Sequence, residues 1–401
     1  MAMGFARRIG CRAVQAVFRA AMSLLPYREP ELLASIEDIA PVLSAQGVTS
    51  VLLVTGPTIH RLGLTRGLEE SLARAGIACA VYDRTPADPT VSCIEETAAV
   101  YLENDCSVII AFGGGSPMDC AKVAGARIAA PTKTIAQMRG TLRIRRPLPP
   151  LIAVPTTAGS GSEATLAAVV TDEGTHHKYP INDFVLIPRY AVHDATLTCG
   201  LPPSATAQTG MDALTHAVEA AIGRSTTAHT RACAREAVRL IHDNLPQAFR
   251  DGADMAARRN MLTASYKAGI AFTRSYVGYV HAIAHSLGGR YGTPHGLACA
   301  VCLPHVLRAY GACAEKALAE LARAAGIAGP SGADAQAAAA FIAWVDETNT
   351  ALGIPSHLGC IREEDIAAMA ARADAEANPL YPVPVLWDAE DLAAVYRAIA
   401  A

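Results

Sequence analysis

The 401-residue sequence predicts two unlike domains, a parallel-sheet α/β domain over residues 30–203 and an all-helical domain over 204–401, preceded by a helical extension, 1–29. Three observations carry this. From residue 47 to about 200, short apolar runs alternate with helical stretches, the order that builds a parallel sheet with right-handed crossovers. One run, Val108 to Phe112, enters a turn of three glycines and a Pro that opens a helix. After Leu201-Pro202-Pro203 the strand pattern stops, and Ala-rich helical segments run to the end.

Taken in order, the first 28 residues contain no acid but carry Arg7, Arg8, Arg12, Arg19 and Arg28. Val14, Val17, Phe18, Ala21, Met22 and Leu25 recur at helical spacing, which predicts a helix packed on the body or on a neighbouring subunit. A membrane-surface helix or a transit-like segment is the competing reading; no stretch is long enough to span a bilayer. Strands are then expected at Ser50 to Val54, Ala78 to Tyr82, Val108 to Phe112 and Leu151 to Val154. Helices are expected at Leu62 to Ala75, Ser92 to Glu103, Asp119 to Ala130 and Asp388 to Ile399. The basic stretch from Met138 to Pro147 reads as a solvated hairpin arm in preference to a phosphate patch.

Composition sets limits on function. With 51% hydrophobic residues the chain can build two sizeable cores. A net charge of −3 argues against nucleic acid as a partner. The 11 Cys, without regular pairing, suggest free thiols in a reducing cytoplasm. Cys299 and Cys302 form a lone Cys-x-x-Cys and read as two small buried helix residues, not as a structural zinc or redox pair.

The helical half carries a metal-ligand pattern. Asp212 and His216 are four residues apart, so on a helix both project from one face, roughly 6 Å apart along the axis. His281 and His285 repeat that spacing, and His295 follows a loop with Gly and Pro. A carboxylate with three imidazoles suits a divalent transition metal, Fe²⁺ or Zn²⁺. His281 to His285 is not the zinc-protease pattern, because Ala282 replaces its general-base Glu. Lewis-acid chemistry other than peptide hydrolysis is therefore expected.

The α/β half carries a turn suited to an anion. Gly113-Gly114-Gly115-Ser116-Pro117 lets the backbone approach a ligand closely, and the N–H groups of the helix start suit a pyrophosphate. The turn is neither Gly-x-Gly-x-x-Gly nor a P-loop, and a tight connection with no ligand would look similar. Leu151 to Val154 enters Pro155-Thr156-Thr157-Ala158-Gly159-Ser160-Gly161-Ser162-Glu163, a second strand end able to line a polar ligand.

These segments, with Leu201-Pro202-Pro203, Thr209 to Glu219 and His281 to His305, resemble the iron-containing (group III) alcohol dehydrogenase family over nearly the whole chain. The resemblance implies a Rossmann-like N-terminal domain and a helical C-terminal domain, the dehydroquinate synthase-like arrangement, with the active site in the cleft between them. It puts the metal ligands on Asp212, His216, His281 and His295, and His285 near the nicotinamide. Gly113, Gly114 and Ser116 match the pyrophosphate loop, to which Gly115 belongs, Thr156 and Thr157 the cofactor-binding Thr pair, and Lys178 the lysine near the cofactor ribose. Gly56 stands where many relatives have an Asp that selects NAD, so NADP is expected to be accepted, with His60 or Arg61 near the added phosphate.

The expected reaction is NAD(P)-linked: hydride transfer between a metal-bound alcohol and nicotinamide C4, with His285 relaying the proton or merely packing. Phe272, Tyr276 and Tyr279 are expected to line a pocket for a small or medium, partly apolar alcohol or aldehyde. A metal-dependent hydrolase or lyase using the same ligands is the alternative, and it would have no use for the Gly113 turn. A homodimer or larger homo-oligomer is expected from the resemblance and from the apolar stripe near the N-terminus.

Overall fold

The computed structural model describes residues 3–21, 25–174 and 177–400. The chain divides into two compact units, one of Pro26–Gly200 and one of Met1–Leu25 with Leu201–Ala401. A long helix, α1 (Phe5–Ala21), opens the second of these.

The α/β unit then runs β1 (Glu31–Leu33), α2 (Ile39–Ala45), β2 (Ser50–Val54), α3 (Pro57–Arg61), α4 (Arg66–Arg74), β3 (Ala78–Tyr82) and α5 (Val91–Glu103). It continues through β4 (Val108–Gly113), α6 (Gly115–Ala129), α7 (Ile135–Met138), β5 (Gly140–Thr141), β6 (Leu151–Pro155), β7 (Ala167–Asp172), β8 (His177–Asn182) and β9 (Tyr190–Val192). Six strands form one parallel sheet in the order β1-β9-β6-β4-β2-β3. Alternate residues of its central strands face opposite layers. Leu52, Val54, Ile109, Ala111 and Ala153 pack with α5 and α6, and Val51, Leu53, Ile110, Phe112 and Ile152 with α2 and α4. Each fully buried aliphatic side chain contributes about 1.5–3 kcal/mol. A one-residue slip would exchange the two sets, so burial on both faces fixes the register.

The chain steps from β2 outward to β3 and then back to β4 on the other side of β2. Between the carboxyl ends of β2 and β4, neighbouring connections diverge, which leaves the crevice where such sheets hold ligands.

The helical unit contains α8 (Pro203–Ile222), α9 (Ala228–Arg250), α10 (Met255–Ser275), α11 (Tyr279–Tyr291), α12 (His295–Tyr310), α13 (Ala312–Ala324), α14 (Asp334–Ala351), α15 (Glu363–Ala377) and α16 (Ala389–Ile399). Helix α8 is buried along nearly its whole length from Thr206. Close packing has a steric basis at Gly210, where an added Cβ would meet Leu245 of α9 at 2.3 Å.

Three expectations need correction. The helix expected over Leu62 to Ala75 starts only at Arg66, because Gly63 takes φ +70° and breaks the turn. The basic arm is not a hairpin of its own: β5 pairs parallel to β8 in a small sheet β5-β8-β7, and Asp183 caps the N–H groups of Ile144 and Arg145. Helix α1 docks by its polar side. Arg7 pairs with Asp374 at 2.6 Å, Arg12 donates to the carbonyls of Val383 and Pro384, and buried Gln15 donates to that of Tyr381. Phe5 and Val17 are instead 80% and 72% exposed, while Phe18 meets Tyr276 edge to face. Met22 of the expected stripe lies outside the described residues.

Candidate active site

In the α/β unit, the adjacent strands β6, β4 and β2 end in the three segments that the sequence marks for a nucleotide. Helix α6 starts at Gly115 with Gly114 as its N-cap, and no side chain caps it. Its first N–H groups therefore lack an intrahelical partner, and the helix dipole adds partial positive charge. Side chains are excluded from this turn. A Cβ on Gly113, at φ +150°, would strike Pro117 at 2.7 Å; one on Gly114 would press on Thr157 Oγ1 at 3.3 Å, and one on Gly115 on Ser160 at 3.4 Å. Such a bare, donor-lined cradle fits a pyrophosphate.

The neighbouring turn is fastened to this helix. The Thr156 N–H donates to the Gly113 carbonyl at 3.0 Å. Behind it, fully buried Lys122 of α6 donates to the Ser162, Thr165 and Ala167 carbonyls and to the Ser162 and Thr165 hydroxyls. Asp119 accepts from Ser162 Oγ and the Val169 N–H, both at 2.9 Å. Glu163 is buried beside them with Oε1 unpartnered. Burial pushes its carboxyl up to about 7, against the pull of Lys122, whose own amine burial brings down to about 8.

Other nucleotide-side expectations need refinement. The Ser116 hydroxyl is spent on the Ala87 carbonyl, so only its backbone is available to an anion. Lys178 pairs with Asp88 at 2.7 Å. His60 is engaged by Asp83, at the end of β3, at 2.7 Å. Gly56 lies at φ −98°, which any residue can adopt, although a Cβ there would sit 3.3 Å from the Thr85 carbonyl.

In the helical unit, three helices bring the expected ligands together. Asp212 and His216 project from one face of α8, His281 comes from α11, and His295 is the first residue of α12. Asp212 Oδ1 lies 3.4 Å from His295 Nε2, 3.8 Å from His281 Nε2 and 3.9 Å from His216 Nδ1. The His216 ring stacks between Phe272 and His281. Asp212 Oδ1, His216 Nδ1 and His281 Nε2 are all buried without a hydrogen-bond partner. Orphaned buried polar atoms are costly unless something else satisfies them, and a cation in their midst would do so. Charges agree with that fit. Burial drops both His216 and His281 to about 3, so their rings are neutral and have lone pairs to offer. Among the described residues, Asp212, His281, His295 and Cys299 form a donor group whose ligand atoms lie within 4.8 Å of one another.

Two carboxylates that the sequence reading gave no role orient these imidazoles. Glu219, one turn past His216, accepts from His281 Nδ1 at 2.6 Å and from the Gly278 and Val280 N–H groups at 2.7 Å. Its spacing of seven from Asp212 put it on the same helix face, a signal that was available. Glu376 of α15 accepts from His285 Nδ1 at 2.6 Å and from the Tyr381 hydroxyl at 2.8 Å; no local pattern announces it. His285 is not among the gathered donors but stacks on His295, with ring centroids 5.3 Å apart. Tyr279 is fully buried: it stacks on Trp387 and its hydroxyl accepts from the Trp387 N–H. Phe272 and Tyr276 are partly exposed.

A dinucleotide-type sheet and a carboxylate–imidazole cluster within one chain are the equipment of a metal-dependent dehydrogenase. Comparison with known proteins specifies it further. Residues 33–195 match the iron-containing alcohol dehydrogenase description, and residues 206–400 the C-terminal region of the Fe-containing alcohol dehydrogenase family. A 1,3-propanediol dehydrogenase of Klebsiella pneumoniae is 40% identical, with 81% of this chain and 84% of the relative covered. An NAD-dependent methanol dehydrogenase of Bacillus methanolicus is 35% identical over 84% of this chain and 89% of its own. The solved structure of an alcohol dehydrogenase from Oenococcus oeni superposes with a TM-score of 0.89 at 32% identity, covering 93% of this chain and all of that one. The chain belongs to the iron-containing alcohol dehydrogenase family, and it is an oxidoreductase of the alcohol dehydrogenase class.

Proposed function

We propose that the protein interconverts a small, partly apolar alcohol and its aldehyde or ketone with NAD, accepting NADP, at one divalent metal held by Asp212, His216, His281 and His295. The observation that carries this reading is the set of three buried, unpartnered ligand atoms converging from α8 and α11. When bound, the metal supplies Lewis acidity toward the substrate oxygen, and the nicotinamide takes or returns the hydride. Fe²⁺ is the metal proposed, with Zn²⁺ or another divalent ion an alternative occupant of the same donors.

The chain's own groups do the rest. Glu219 accepts the Nδ1 proton of His281, which fixes the tautomer and turns Nε2 toward Asp212. Glu376 does the same for His285, which is proposed to pass the substrate proton to solvent. Gly113, Gly114 and Gly115, with the Ser116 backbone, are proposed to hold the pyrophosphate, Thr156 and Thr157 to flank it, and Lys178 to lie near the ribose. Gly56 supports NADP use because no carboxylate grows from the end of β2. His60 does not add to that support, since its Nδ1 is already engaged by Asp83 at 2.7 Å.

A homodimer or larger assembly is also proposed. It rests on the outward apolar residues of α1, Phe5, Ile9 and Val17, which a second copy would cover. Eleven free cysteines support a cytoplasmic, reducing location; no described helix is long and apolar enough to cross a membrane.

The test is reduced-nicotinamide absorbance with a panel of small alcohols, in metal-loaded and chelated protein. Turnover that needs both metal and dinucleotide is expected. Metal-dependent conversion without any dinucleotide would replace this reading with a hydrolase or lyase.

A further inference from the structure

We infer that Cys299 faces the metal as a sulfur ligand and sets which ion the site prefers; this rests on the metal reading just proposed. His295 and Cys299 are four residues apart on α12 and so share one helix face. This repeats the spacing of Asp212 and His216. The thiol lies 3.7 Å from His295 Nε2, is fully buried, and completes the donor group with Asp212 and His281.

Three of the separations are close to the size that a shared ion requires. Metal–ligand bonds of about 2.0–2.3 Å in a tetrahedron put neighbouring ligand atoms about 3.3–3.8 Å apart. The observed separations are 3.4 Å from Asp212 to His295, 3.7 Å from His295 to Cys299 and 3.8 Å from Asp212 to His281. A second observation points to a ligand independently of the cysteine: Asp212 Oδ1 and His281 Nε2, both buried, converge on the same spot without hydrogen-bond partners. His216 Nδ1, at 3.9 Å from Asp212, is as near as His281 Nε2, so the sulfur adds a fifth contact to the four ligands already proposed.

On binding, the Cys299 sulfur loses its proton to solvent as its lone pair bonds the ion. A soft thiolate among hard oxygen and borderline nitrogen donors raises affinity for Zn²⁺ more than affinity for Fe²⁺ or Mn²⁺, and so narrows the margin between the proposed ion and its alternative. Cys299 is thus a selectivity residue of the metal centre.

Cobalt substitution tests this without turnover. Protein loaded with one Co²⁺ should show a sulfur-to-cobalt charge-transfer absorption in the near ultraviolet. Cys299→Ser should lose that band while still binding cobalt, and Cys302→Ser, one turn further into the buried helix, should keep it. In competition titrations, Cys299→Ser should lose roughly tenfold or more in affinity for Zn²⁺ and much less for Fe²⁺. Wild-type protein that binds cobalt without the band overturns this inference and leaves the metal site standing. Wild-type protein that takes up no cobalt, zinc or iron overturns both. Because the wild-type spectrum alone decides, a variant that fails to fold does not rescue the idea.

Discussion

Glu219 and His281 are 62 residues apart in the chain, yet the carboxylate and the imidazole Nδ1 meet at 2.6 Å inside the helical unit. The contact joins α8 to α11 and aligns the ring for whatever its Nε2 binds. His281→Ala should abolish both metal content and turnover. Glu219→Gln should retain the fold and weaken metal binding about 10- to 100-fold, as loss of an orienting partner does. Metal analysis by mass spectrometry after gel filtration checks both, and stoichiometric metal in His281→Ala would remove that residue from the ligand set.

His285 and Glu376 are expected to act together. Burial would raise Glu376, but the His285 charge and hydrogen bond keep its carboxyl low. His285→Gln should keep the metal, lose roughly 10²-fold in turnover and show a changed pH profile. Glu376→Gln should move the same profile with a smaller loss of rate. A His285 variant with wild-type rates at every pH would leave that ring a packing role only.

Stability should depend on pH through Glu163. Its folded value, about 7, lies above its unfolded one, so the fold is favoured when the group is protonated. That contribution is fully present below about 4.5 and is lost as pH rises through 7. Glu163→Gln should therefore stabilise the protein more at pH 8 than at pH 5, by about 3 kcal/mol at most. Urea titrations of both proteins at the two pH values measure the difference; an equal effect at both would contradict it.

Gly56→Asp should raise the Michaelis constant for NADP selectively, by placing a carboxylate at the end of β2. The Thr85 carbonyl near the new Cβ must yield slightly, so circular dichroism is needed as a folding control. Wild-type enzyme with no turnover on NADP at millimolar concentration would show that Gly56 merely fills a turn.

Much of the strand framework was legible because apolar runs end abruptly at polar or glycine residues. Ser50–Val54 and Ala78–Tyr82 have the expected bounds. Helix starts were less legible. Helix α6 begins at Gly115, two residues before the Pro117 that marks its opening in the sequence and a turn before Asp119, because glycine has little helix propensity of its own. Asp212, His216, His281 and His295 could be read because a metal site demands particular residue types at helical spacing. Glu376 could not: it reaches His285 from 91 residues away, and only the tertiary fold makes them neighbours. Cys299 was read as bland filling because a buried thiol is usually that. The docking of α1 inverts its sequence pattern, since arginines find carbonyls and a carboxylate on the body while Phe5 and Val17 face out.

The five oxygens around Lys122 bear on how the nucleotide arrives. One ammonium ties the body of α6 to the Ser162–Ala167 turn. Asp119 doubles the tie. The Gly114 cradle and the Thr157 wall beside it therefore belong to one stiff block, and a dinucleotide held there, as proposed, would have little loop to freeze. The ordering cost that most binding loops incur at the moment of contact would then have been met during folding.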